Sequence, residues 1–250
     1  MAGKNNKNNK NNKNNKNNNR KKKRYGQFCP VALAAEVIAE RWTPLVVREL
    51  LCGSVRFNEL QRGVPRMSSA LLARRLKELQ FAGIVERRRR EDGSFEYHLT
   101  RAGRELFPVV EQMGLWAQRW LRHDLVETAD LDPDLLMWDI RRTVVAKFPP
   151  RSRRYVVEFR LSGVPISRRR YWLVFEQDAV DLCYRDPGFE VDLFIEAALR
   201  ALTRVWVGHI TIEQAIRDGQ LRLDGQRADI ARFRSWFVLS PFAPAALQPG

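Results

Sequence analysis

Residues 57–100 run in the order short helix, turn, capped helix, basic hairpin, and this order constrains the fold more tightly than any other feature of the chain. The capped helix is "SALLARRLKELQFAG". Ser68 stands at its N-cap and Gly83 just past its end, residue types that satisfy orphan N–H groups and accept a left-handed turn. Leu72, Leu76 and Leu79 fall at i, i+4 and i+7 and predict a buried stripe, with Ser69, Ala70, Ala73, Arg74 and Lys77 on the opposite side. Upstream, a helix around Phe57–Gln61 ends at the breaker "GVPRMSS". Downstream, "IVERRRREDGSFEYHLT" carries Asp92-Gly93, a hairpin signal, and a return strand alternating Phe95, Tyr97, Leu99 with Glu96, His98, Thr100.

Taken alone, the capped helix reads as an amphipathic surface helix with ordinary charges. The hairpin behind it completes the layout of a winged helix-turn-helix, whose second helix enters the major groove while the wing flanks it. The expected DNA-facing residues are Ser68, Ser69, Ala70, Ala73, Arg74 and Lys77. The small ones allow close approach, and the two cations reach base edges or phosphates. Strand alternation divides the four wing arginines by face. A two-residue loop would put Arg88 and Arg90 with Phe95 and Tyr97. A three-residue loop with Gly93 left-handed puts Arg87 and Arg89 there, together with Val85, and is the preferred register. Arg88 is then expected to pair across to Glu96, Arg90 at the tip to touch DNA, and Arg87 to brace the hairpin base. Arg88 and Arg90 are the wing candidates.

Charge by itself says little about DNA. The net +15 is concentrated in residues 1–24, which carry ten basic residues and no acid, while residues 25–128 and 129–250 hold only +3 and +2. The K-N-N repeat from Lys4 to Asn18, followed by Arg20-Lys21-Lys22-Lys23-Arg24, has no apolar residue after Ala2 and is expected to be disordered. Two readings of it stand level: an electrostatic arm that raises nonspecific DNA affinity, or a repeat expansion with no selected role.

The helices in front of this unit start at Pro30, with Val31, Leu33, Ala34, Val37 and Ile38 on one side, and at Thr43-Pro44, read as an N-cap and first-turn proline. After the hairpin, Thr100 caps a long helix bearing Leu106, Val110, Met113, Ala117 and Trp120 at near-heptad spacing, with Trp116 alongside. Pro108 is expected to kink it or mark its first turns.

Over residues 28–122 the chain resembles the HxlR family of bacterial winged-helix transcriptional regulators. The resemblance rests on Cys29-Pro30, Arg41-Trp42-Thr43, Arg56-Phe57-x-x-Leu60, Leu72-x-x-x-Leu76, Gly83-Ile84-Val85 and Tyr97-x-Leu99-Thr100-x-x-Gly103. It implies that the first and last helices pair two subunits, through Val31, Leu33, Leu106, Val110, Met113, Trp116 and Trp120. Such a dimer would set two recognition helices one DNA turn apart, ~34 Å. It also makes Cys29 a candidate redox residue. A helix N-terminus lowers a thiol pKa, but a packing role is the simpler reading and is preferred.

The acidic stretch "RHDLVETADLDPD" ends this unit. Beyond it come a helix around Leu135–Lys147, period-two segments "RYVVEFR", "YWLVFE", "VDLCYR" and "GFEVDLFIEA", then "ALRALTRVWVG", a helix Thr211–Asp218 closed by Gly219, a short strand Leu221–Leu223 and a last helix. "LTRVWVGHITIEQAIRDGQLRLDG" is similar to the end of sterol carrier protein-type domains, through Trp206-x-Gly208, Ala215, Gly219-x-Leu221 and Gly225. That resemblance implies an apolar tunnel, for which Trp138, Phe159, Trp172, Phe194, Trp206 and Trp236 are the candidate lining residues, although core filling is the safer reading of any one of them.

The expected fold class is α+β: a mainly α winged helix-turn-helix domain with a β-hairpin wing, then an α+β sterol carrier protein-like domain. The expected boundaries are a tail 1–24, the DNA-binding and dimerisation domain 25–124, a linker 125–133, a ligand-binding domain 134–242 and a C-terminal tail 243–250. Three cysteines without a C-x-x-C pair, the lack of P-loop, G-x-G-x-x-G or G-x-S-x-G motifs, and the lack of metal-ligand spacing point to a cytoplasmic non-enzyme without cofactor or metal. Its expected partners are double-stranded DNA, a second copy and an apolar, lipid-like ligand, with no membrane insertion. The rival reading is a lipid carrier whose winged helix serves dimerisation or protein contacts. A third is a regulator controlled by Cys29 alone.

Overall fold

The computed structural model describes residues 25–127, 131–144, 154–176 and 179–246. The Lys/Asn tail lies outside the described residues, so neither reading of it is tested there.

The first unit opens with α1 (Pro30–Ile38) and α2 (Thr43–Leu51). Thr43 does not cap α2. It is already inside the helix, its hydroxyl buried without a partner among the described residues, and the N-cap is Trp42 in a left-handed conformation (φ 76°). Arg41 lies 5.6 Å over the Trp42 ring. Helix α3 (Phe57–Gly63) is opened by Glu59, whose Oε2 accepts from the backbone N–H groups of Val55 and Arg56 at 3.0 and 2.9 Å. Helix α4 (Ser69–Phe81) follows the turn Val64–Ser68, then the hairpin β1 (Val85–Arg89) and β2 (Phe95–Leu99). Val46, Val47, Leu50, Leu60, Val64, Met67, Leu72, Leu76, Leu79, Val85 and Leu99 make one core.

The long helix expected after Thr100 is two helices. Thr100 caps a single turn, α5 (Arg101–Arg104), by accepting from Gly103 N–H at 3.1 Å. The main helix, α6 (Phe107–Trp120), starts afresh with Pro108 in its first turn. A proline lacks the N–H that an interior position must donate, so it sits where that loss costs least.

Part of the expected linker is folded: α7 (Asp124–Glu127) buries Val126. The second unit comprises α8 (Pro133–Val144), then β3 (Tyr155–Ser162), β4 (Arg170–Glu176), β5 (Ala179–Cys183), β6 (Leu193–Ala198), α9 (Leu199–Trp206), α10 (Ile212–Arg217), β7 (Leu221–Gly225), α11 (Arg227–Trp236) and α12 (Ala243–Ala246). Its sheet has the order β5-β4-β3-β6-β7, with β3 and β6 parallel and the other pairs antiparallel. Tyr155, Val157, Phe159 and Leu161 of β3 point alternately to one face, where they meet Ile140, Leu202, Phe233 and Trp236 in the larger core. Ala243, expected in a C-terminal tail, is buried at 3% exposure, and a Cβ on Gly208 would meet it at 2.8 Å.

The two units share a buried ionic junction. Arg142 of α8 donates to Glu49 of α2 through Nη1–Oε2 (2.7 Å) and Nη2–Oε1 (3.2 Å). Arg48 grips both oxygens of Asp139 at 2.7 and 2.6 Å, and Arg142 also bonds Asp139. Trp138 Nε1 and Ser54 Oγ complete the surround of Glu49 Oε2, each at 3.4 Å. Two acids and two bases balance, which is what allows Glu49 to be fully buried. Gly63 closes the lid: a Cβ there would stand 1.9 Å from the Glu49 carboxyl.

Candidate nucleic-acid interface

Helix α4 is held from behind and left bare in front. Ser68 Oγ accepts from Leu71 N–H at 3.3 Å, and Leu72, Leu76 and Leu79 are buried. The adjacent Arg74 and Arg75 end in opposite places. Arg75, which the sequence reading passed over, is 5% exposed and donates to Glu78 (2.5 Å), the Arg41 carbonyl (3.3 Å) and Glu40 (3.5 Å). It pins α4 to the α1–α2 turn. Its position three residues after Leu72 was the available signal, because i+3 shares the buried stripe. Ser68, Ser69, Ala70, Ala73, Arg74 and Lys77 are all exposed. Arg74 reaches Glu78 only at 3.8 Å with its side chain 65% exposed, and Lys77 has no partner among the described residues.

The wing adopts the three-residue register. Arg89 pairs with Phe95, Arg87 with Tyr97 and Val85 with Leu99, and Gly93 is left-handed (φ 80°). Asp92 accepts from the Ser94 hydroxyl (2.5 Å) and N–H (2.9 Å), which hold its carboxyl below the ordinary range and tighten the tip. The division of labour among the arginines differs from the expected one. Arg88 stands opposite Glu96 but bonds Glu86 beside it on its own strand, because residues two apart share a face. Arg90 is the one that meets Glu96 (3.3 Å) and also lies near Asp92 (3.9 Å). Arg87 stacks on Phe95 at 3.9 Å. That leaves Arg89, exposed and without a partner among the described residues, as the free wing cation.

Behind this surface α6 has three different faces. Leu106 and Val110, expected in a subunit interface, pack inward on the core of their own unit. A second face meets the other unit: Gln118 Nε2 donates to the Val207 carbonyl at 2.5 Å, and a Cβ on Gly114 would strike the Phe242 ring. The third face is open and apolar. Met113, Trp116 and Trp120 are 50–61% exposed, and Met113 and Trp116 line a shallow cleft of about 770 Å³ with Pro108, Val109 and Leu121. On α1, Val31 (74%) and Leu33 (54%) are likewise bare, and Cys29 at its N-cap is half-buried and free.

A helix-turn-helix core, a bare capped helix and a basic wing agree with what sequence comparison finds. The model of the HxlR-like helix-turn-helix family matches residues 37–125. The HTH-type transcriptional regulator YvaP of Bacillus subtilis is 36% identical over 98 residues, 38% of this chain and 91% of that protein. The chain belongs to the HxlR family. It is a transcriptional regulator of that type. YodB, also an HTH-type transcriptional regulator of B. subtilis, is 35% identical over 95 residues, 37% of this chain and 85% of YodB. Among solved structures, the redox regulator HypR in its oxidised form is 36% identical, with 36% of this chain and 95% of that chain covered and a TM-score of 0.35. The HxlR match ends at α7, just before the second unit begins.

The six aromatic residues expected to line a tunnel are not gathered round one cavity. Phe159 and Trp236 are fully buried in the larger core. Trp172 packs with Val156 and Val174 on the other face of the sheet, where Phe194 lies beneath Arg160 at 4.2 Å. Trp206 packs at the edge of the larger core, and Trp138 sits at the junction between Arg62 (5.4 Å) and Arg141 (5.3 Å).

Proposed function

We propose that this HxlR regulator binds a pseudo-palindromic operator as a homodimer, reading the major groove with Ser69, Ala70, Ala73, Arg74 and Lys77 and holding flanking phosphates with Arg89 and, secondarily, Arg88 and Arg90. The carrying observation is the bare front of α4, whose two cations lack a strong partner among the described residues while the neighbouring arginine is buried behind them. The bare apolar faces of α6 and α1 support the pairing of two copies. Apolar area of this kind is costly to leave in water and is the usual mark of a protein contact. Trp116→Ser with Trp120→Ser is expected to yield monomers by sedimentation. A variant that still sediments as a dimer places the interface elsewhere.

The second unit serves as an effector module. Its α8 lies directly against α2 and α3, so a ligand that bound two arrangements of that junction unequally would shift operator affinity. An apolar ligand is supported by the sterol carrier resemblance and not by the placement of the six aromatic residues. The direct test of the reading is selection of binding sites from a random duplex library, followed by titration of the selected duplex. Undiminished affinity after Arg74→Ala and Lys77→Ala would refute the major-groove assignment and favour the carrier reading.

A further inference from the structure

The second unit gathers six of its arginines into one cleft. We propose that this cleft binds a small polyanion, one bearing two or more carboxylate or phosphate groups. The opening, of about 1320 Å³, is lined by Arg160, Arg169, Arg170, Arg200, Arg204 and Arg222, over a floor of Leu161, Ala197 and Ala201.

The backbone register builds the cationic wall. Arg170, Arg160, Glu196 and Arg222 are successive partners across β4, β3, β6 and β7, so they form one row on one face of the sheet. Arg160 and Arg170 stand directly opposite each other, an arrangement that like charges disfavour. The fold holds them together with Glu158, which is 2% exposed and accepts from Arg160 Nε (2.8 Å), Arg170 Nε (2.8 Å) and Arg170 Nη2 (3.1 Å). Glu158 thereby fixes both guanidinium planes and leaves Arg160 Nη2 and Arg170 Nη1 uncommitted among the described residues. A guanidinium fixed in this way loses little entropy when an oxyanion arrives.

Helix α9 supplies the opposite wall. Arg200 and Arg204 are one turn apart and share a face. Arg200 pairs with Glu127, and Arg204 has no partner among the described residues. The six arginines pair with three carboxylates, Glu127, Glu158 and Glu196, and Asp186 also acts on Arg170, so cations outnumber these carboxylates. Ala198, the N-cap of α9, also borders the cleft and has no side chain to cap the first-turn N–H groups, which adds a favourable backbone field for an anion. Adjacent strands lie about 4.8 Å apart, so the row from Arg170 to Arg222 spans roughly 14 Å. That width suits several charged groups better than one. Because Arg200 is tied to Glu127 of α7, at the end of the DNA-binding unit, an occupant competes with the link between the units.

The test is calorimetric titration of the full chain with citrate and, separately, with pyrophosphate, in the absence of DNA. Saturable binding of at least one of the two, at one site per chain, is expected, and the tighter of the two identifies carboxylate or phosphate chemistry. Arg204→Gln with Arg222→Gln should weaken it at least ~10-fold by removing two charge-assisted contacts while leaving the Glu158 clamp and the N-terminal tail in place. Arg89→Ala should leave it unchanged. No saturable binding of either anion at millimolar concentration overturns the proposal, as does binding that survives the double substitution in a protein of unchanged melting temperature. If the double variant loses affinity for duplex DNA and the native chain binds neither anion, the cleft is a DNA contact and the proposal also falls. The titration contains no operator, so its outcome is independent of the DNA-reading assignment.

Discussion

The ionic junction between the two units and the basic surface of α4 and the wing are built from the same residue types to opposite ends. At the junction, Glu49, Asp139, Arg48 and Arg142 saturate one another, with Glu49 fully buried. On the front of α4 and on the wing, Arg74, Lys77 and Arg89 stay bare. A desolvated charge is tolerable only when paired and hydrogen-bonded, so junction residues have no capacity left for a ligand. Exposed cations contribute little to stability and keep their capacity for phosphates. An arginine's role here follows from what shares its surroundings.

The largest expected effect tests the junction. Glu49→Ala leaves Arg142 without its bidentate partner and Trp138 Nε1 without an acceptor, and should cost about 3–5 kcal/mol in denaturant unfolding. A loss under ~1 kcal/mol would mean that water replaces the pair and that the junction is not a dry one.

On the other side of the comparison, Arg74→Ala should leave the melting temperature unchanged and cost about 1–3 kcal/mol in affinity for the selected duplex, with weakened discrimination at one base position. Arg75→Ala should do the reverse, lowering stability first, because its guanidinium is bound within the protein. If both lower affinity alone, the division between front and back of α4 is wrong.

His209 is an intermediate case, partly buried and without a counter-charge among the described residues. Burial first, then the nearby Arg122 and Arg204, push its pKa down to about 4. The unfolded chain takes up the proton first, near pH 6.5, so stability is complete above that value and falls as pH drops toward 4. Thermal melts between pH 7 and 4 should show this loss, and His209→Asn should flatten it. Glu158, whose carboxyl is held below its ordinary value despite burial by bonds from Arg170 and Arg160, adds a loss only at the acid end of that window. A profile unaltered by His209→Asn would assign the whole effect to carboxylates.

The smallest effect separates the wing arginines. Arg89→Ala should reduce the slope of log affinity against log salt by about 0.9, one released counterion. Arg90→Ala should change it less, since Glu96 and Asp92 already hold that side chain. Equal slopes would show that DNA draws Arg90 away from its carboxylates.

Much of the first unit is legible from local pattern. The Leu72/Leu76/Leu79 stripe, Ser68 as cap and Gly93 as the left-handed loop residue each act within a few positions of themselves, and each stands where spacing put it. What was not legible depended on a second segment. Arg75 looks like a surface cation until Glu40 and the Arg41 carbonyl come round behind it. Leu106 and Val110 share a heptad with Met113 and Trp120, but helix α6 is turned so that they meet their own core. Gly63 and Glu49 carry no joint signal at all, although neither position tolerates much change without the other.

The sequence by itself determined the capped helix α4, the hairpin and its loop, because capping, helical stripes and hairpin turns are local and periodic. Only the tertiary structure decided which charges are spent and which are free. Glu49 and Arg142 are 93 positions apart and Arg160 and Arg222 come from separate strands, so their partners are set by how elements stack and by which side chains lose water when they do.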